Sequence, residues 1–111
     1  MRKLYKFYLD CGRMGYLDGL FVATEEDIKM IIGKDIYFGE VLGKHSDVII
    51  TLKKEDLTIK SDDQIFINKL VEIIDDTIIS GYSPLEYYHR ERDNDESYKD
   101  YLTNDRGSYE L

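Results

Sequence analysis

The chain has 111 residues, 15 Lys and Arg against 23 Asp and Glu, a formal net charge of -8, one Cys and one Pro. That length supports a single core, one Cys leaves no internal disulfide framework, and a reducing cytoplasm is the expected compartment. No apolar run approaches the roughly 20 residues of a membrane-spanning helix, and an acidic surface argues against direct nucleic-acid binding, because phosphate contacts need a basic one.

The opening Met1-Arg2-Lys3-Leu4-Tyr5-Lys6 lacks the apolar core and small-residue cleavage site of a signal peptide. Tyr5, Phe7 and Leu9 then alternate with Lys6, Tyr8 and Asp10, the period-two pattern of a strand with one face inward. Cys11-Gly12-Arg13-Met14-Gly15 supplies a glycine-flanked turn into a return strand. That strand presents Leu17, Phe21 and Ala23 on one face and Leu20 and Val22 on the other. Gly19 in its middle signals a bulge or a close backbone approach.

Thr24-Glu25-Glu26-Asp27 reads as a capped, acidic helix start, and Ile28, Ile31 and Ile32 fall on one stripe before a stop at Gly33. Asp35 to Leu42 and Asp47 to Leu52 read as a third and a fourth strand around the polar turn Gly43-Lys44-His45-Ser46. A short edge strand is expected from Leu57 to Lys60. Ser61-Asp62-Asp63-Gln64 has the spacing of a capping box. The helix it opens carries Phe66, Leu70, Ile73 and Ile74 at i, i+4, i+7 and i+8, joined by Ile67 and Val71, and ends near Asp75-Asp76. Thr77-Ile78-Ile79 suggests a last short strand. Ser83-Pro84-Leu85-Glu86 is a further cap signature, with Pro at the first helical position.

These elements add up to an α+β fold: a small antiparallel sheet of four to five strands, with the 61–75 helix across one face and the 24–32 helix at its edge. Residues 1–85 form the domain and 86–111 an acidic, Tyr-rich, helical C-terminal extension. The extension has eight acids against four bases, half of the ten tyrosines, and neither Val nor Ile.

Catalysis has little to build on. The two histidines, His45 and His89, lie far apart, and no Cys–His or Ser–His–Asp order supports a triad. Ligand spacing for a metal is absent, so neither metal nor cofactor is expected. Cys11 stands beside Arg13, which would lower its pKa; a small packed hydrophobe is the plainer alternative. Two binding constellations stand out. In the extension, Tyr87, Tyr88, Tyr98 and Tyr101 offer large contact area, and Asp93, Asp95, Glu96, Asp100 and Asp105 complement a basic surface. The alternative is a phosphate-holding set of Arg13, Lys44, His45 and Tyr82, cationic and aromatic, which suits a nucleotide.

The stretches Gly19 to Asp27, Ile32-Gly33-Lys34, Tyr37-Phe38-Gly39-Glu40-Val41-Leu42-Gly43-Lys44-His45-Ser46 and Ser80-Gly81-Tyr82-Ser83-Pro84-Leu85-Glu86-Tyr87 resemble small uncharacterised proteins encoded in phages and prophages. The resemblance spans about residues 3 to 88, and the extension after Tyr88 departs from it. It implies a genetic setting and no catalytic residue. Small acidic phage proteins of this kind are often accessory factors that disarm host defence. The expected activity is therefore non-enzymatic inhibition of a host defence complex, as by an anti-CRISPR, in the cytoplasm of the bacterial host. The partner is a defence protein with a basic surface, contacted without nucleic acid or membrane. The alternatives are a sponge that holds a nucleotide immune signal between protomers of a homo-oligomer, and a structural or accessory phage protein without a defence role.

Overall fold

The computed structural model describes residues 1–92, and the structural statements below concern these. Strands β1 (Arg2–Asp10) and β2 (Tyr16–Thr24) form an antiparallel hairpin paired along its whole length, from Arg2 opposite Thr24 to Asp10 opposite Tyr16. A 3-10 turn, Gly12–Met14, closes it, with Gly12 at its start and Gly15 just after it at positive φ. Helix α1 (Glu25–Ile31) follows at once. Its Thr24 cap and Asp27 bond each other's backbone N–H groups, so the expected start is a full capping box.

Strands β3 (Asp35–Gly39) and β4 (Val48–Thr51) pair only with each other. Strand β5 (Leu57–Ser61) adds to β1, and β6 (Ile78–Gly81) adds to β2, giving a four-stranded antiparallel sheet in the order β5-β1-β2-β6 beside the separate β3–β4 hairpin. Helix α2 (Gln64–Ile74) and a helix over residues 84–92, α3, complete the described chain. The fold is α+β.

The sheet is covered on both faces because β1 and β2 carry apolar residues on both. On one face Tyr5, Phe7, Leu17, Phe21 and Ala23 meet Ile31 of α1 and Ile36, Phe38, Val48 and Leu52 of the hairpin region. On the other, Leu4 and Val22 meet Ile67 of α2, with Leu20, Leu70, Val71 and Ile79 around them. Helix α1 packs beside the edge strand β5, with Ile31 fully buried in the larger core. One expectation is corrected here. The third and fourth strands leave the main sheet and stack on it, since β6 already occupies the free edge of β2.

The cap of α2 is also corrected. Asp63 caps it, its Oδ1 accepting from the N–H groups of Ile65 and Phe66, while Ser61 belongs to β5 and accepts from the N–H of Asp63. Gln64 donates to the carbonyls of Arg2 and Asp62, and Arg2 donates to Asn68. These bonds fix the helix's rotation so that Ile67 is fully buried, whereas Phe66 and Ile73 are 48% and 70% exposed. Replacing Asp63 with alanine removes both N-terminal bonds and is expected to cost about 1 kcal/mol in urea denaturation, against near-neutrality for Ser61→Ala.

Candidate functional site

Everything that positions α3 begins at a crossing of two glycines. Gly19 in β2 pairs with Gly81 in β6, and the N–H of Tyr82 donates to the carbonyl of Asp18 at 2.9 Å. A Cβ on Gly19 would lie 1.8 Å from the Tyr82 carbonyl oxygen. The close backbone approach expected at Gly19 is therefore present. It turns the chain so that Tyr82 points back onto the core and Ser83 opens α3.

Ser83 is 2% exposed, and its Oγ accepts from the N–H of Glu86 at 3.3 Å; Pro84 beside it is fully buried. Phe38 of β3 is the centre of the seat for α3. Its ring stacks on Phe7 at 5.8 Å, takes Tyr82 edge-on at 6.2 Å and meets Tyr87 at 4.9 Å. The Arg90 guanidinium lies over the Tyr87 ring at 4.7 Å and also pairs with Glu86. Arg92 lies over Tyr88 at 5.4 Å and donates to its hydroxyl. Both helical arginines thus cover tyrosine faces, a favourable geometry for a planar cation.

The expected binding residues divide accordingly. Tyr87 and Tyr88 are half-buried and pack on the larger core, so much of each ring already faces its own domain. Residue 86, where the extension was expected to begin, lies within α3. Asp93, Asp95, Glu96, Tyr98, Asp100, Tyr101 and Asp105 lie outside the described residues. In the nucleotide set, Tyr82 belongs to the aromatic seat. Arg13 is exposed in the β1–β2 turn, while Lys44 and His45 are exposed in the 43–46 turn, where His45 takes φ 66°. Among the described residues no hydrogen bond or ion pair joins Arg13, Lys44, His45 and Tyr82 to one another. Burial, and secondarily Asp10, pushes the Cys11 thiol up, opposite to the activation expected from Arg13.

A groove that no sequence motif marks runs between α1 and β5. It holds about 550 Å³ and is lined by Tyr5, Glu25, Ile28, Lys29, Ile32, Lys54, Leu57 and Ile59. In the sequence it corresponds only to the alternation of Leu57 and Ile59, which pair with Phe7 and Tyr5 and read equally as an edge strand. At one end Glu25 pairs with Lys3 at 2.7 Å. That contact holds the carboxyl below the usual glutamate range and the ammonium above the usual lysine range.

Among the described residues, no group of three or more His, Cys, Asp or Glu is placed to hold a metal ion, and no helix is long and apolar enough to cross a membrane. Comparison of the chain with protein families, curated proteins and solved structures finds no match.

Proposed function

We propose that this chain is a non-catalytic, phage-type binding protein that inhibits a host defence complex in the bacterial cytoplasm, its acidic C-terminal segment occupying a basic nucleic-acid groove. The observation that carries the reading is the anchoring of α3. Ser83, Pro84 and Tyr87 fix that helix on the core through the Phe38 cluster. The sequence that continues from it, residues 93–111, has six acids against two bases and three tyrosines. A rigid base from which a strongly acidic segment departs is suited to a basic surface, where charge accelerates encounter and aromatic rings supply contact area.

The test is association with a purified CRISPR effector complex, followed by surface plasmon resonance at two salt concentrations. A companion assay scores plasmid interference in cells that express the chain. Wild type is expected to bind and to relieve interference. The combined variant Asp93→Asn, Asp95→Asn, Glu96→Gln, Asp100→Asn and Asp105→Asn is expected to associate about tenfold more slowly, with a flatter salt dependence. An unchanged association rate in that variant overturns the acidic-surface mechanism.

A further inference from the structure

The groove between α1 and β5 lies away from the seat of α3 and is not used by the binding mode proposed above. Its volume of about 550 Å³ falls within the range of about 300–1,000 Å³ typical of small-molecule sites. Ile28 and Ile32 form one wall, Leu57 and Ile59 the other, and Tyr5 lines it between them. Tyr5 is 4% exposed and its ring stacks on Phe21, yet its hydroxyl has no hydrogen-bond partner among the described residues. A hydroxyl on the groove wall with no protein partner is open to donate to an oxygen supplied by an occupant. Burial also pushes this hydroxyl's pKa up, so it is a donor at neutral pH.

The charged residues that line the groove are Glu25, Lys29 and Lys54. Glu25 is matched by Lys3. Lys29 and Lys54 line the groove, are exposed, and form no ion pair among the described residues. Lys29 is close enough to Glu25 to help lower its pKa, so the lining sets two ammonium groups beside aliphatic walls against one carboxylate that Lys3 already holds. We infer that the groove binds a small amphipathic carboxylate, with its apolar body between Ile28, Ile32, Leu57 and Ile59, its anionic head at Lys29 and Lys54, and an oxygen accepting from Tyr5. The charge-assisted contacts select a carboxylate over a neutral molecule of the same shape.

Decanoate is the probe, titrated into the full chain and followed by the methyl NMR signals of Ile28, Ile32, Leu57 and Ile59. Saturable shifts confined to these methyls are expected, with decanol weaker and decyltrimethylammonium weaker still. Tyr5→Phe deletes only the unpartnered hydroxyl, leaves the fold intact and is expected to weaken decanoate about tenfold, the loss of one hydrogen bond to a charged acceptor. The double variant Lys29→Met with Lys54→Met, changed only at exposed positions, is expected to bind decanol and decanoate equally. The inference is overturned if the shifts do not saturate, if decanol matches decanoate on wild type, or if Tyr5→Phe leaves decanoate affinity unchanged.

Discussion

Replacing Gly19 with alanine is expected to destabilise the protein by about 4 kcal/mol or more, enough to threaten a domain whose whole stability is on the order of 5–15 kcal/mol. The added Cβ would sit 1.8 Å from the carbonyl oxygen of Tyr82 and 2.7 Å from its C and N, all backbone atoms that no rotamer change can move aside. The partner offers no relief. Gly81 sits at φ 68°, and a Cβ there would meet the Asp18 oxygen at 2.3 Å. The clash must be resolved by parting β2 from β6, which breaks the Tyr82–Asp18 hydrogen bond and moves the start of α3. Because both glycines serve one crossing, Gly19→Ala and Gly81→Ala together are expected to cost less than the sum of the two. Urea denaturation of the three variants checks this; a Gly19→Ala midpoint at the wild-type value contradicts the crossing.

Truncating Phe38 to alanine is expected to cost about 3–5 kcal/mol, the usual loss for a buried aromatic ring that leaves a cavity. Phe38 touches the sheet through Phe7, the 82–83 turn through Tyr82 and α3 through Tyr87, so its removal loosens three elements at once. Hydrogen exchange separates this from a general loss of stability. The amides of α3 are expected to lose protection before those of α2, which rests on the opposite face against Leu4 and Val22. Phe66→Ala is the contrast: that ring is half exposed, and its removal is expected to cost under about 1 kcal/mol. Equal costs at Phe38 and Phe66 count against the described packing.

That contrast marks what the sequence discloses and what it does not. Elements defined by their neighbours along the chain are readable: the Tyr5-Phe7-Leu9 alternation, the Thr24 cap, the Gly33 stop and the edge strand at Leu57 all occur as expected. Gly19 is readable too, because a side-chain-free residue inside a strand has few other uses. The rotation of α2 is not readable from its apolar residues. Isoleucines at 65, 67, 73 and 74 with Phe66, Leu70 and Val71 cover most of the helix's circumference, so the pattern admits more than one inward stripe. Distant hydrogen bonds from Gln64 to Arg2 and from Arg2 to Asn68 select among them. Strand pairing is equally non-local: alternation shows that β3 and β4 are strands, but their exclusion from the main sheet depends on β6, some thirty residues later. The groove has no local signature, since it arises where residues 5, 28, 32, 57 and 59 converge.

A sheet covered on both faces also changes what guards the alignment of its central strands. In a half-solvated sheet, a one-residue slip is penalised because it turns greasy side chains to water. Here the second face shelters β1 only at Leu4, while Lys6 is half-buried and Tyr8 51% exposed, so the same slip would move Tyr5 into shelter but turn Phe7 toward water, and part of that penalty remains. The charges add to it: Lys6, which pairs across to the neighbouring strand with Asp18, would be driven inward, and Lys3, on the face of Tyr5 and Phe7, would leave its partner Glu25. Driving an ammonium group into the layer of Phe7, Phe21 and Phe38 is far costlier than misplacing a methyl group. The charges of β1 thus act as a keying device that reinforces the apolar pattern, permitting one alignment of two unequal layers.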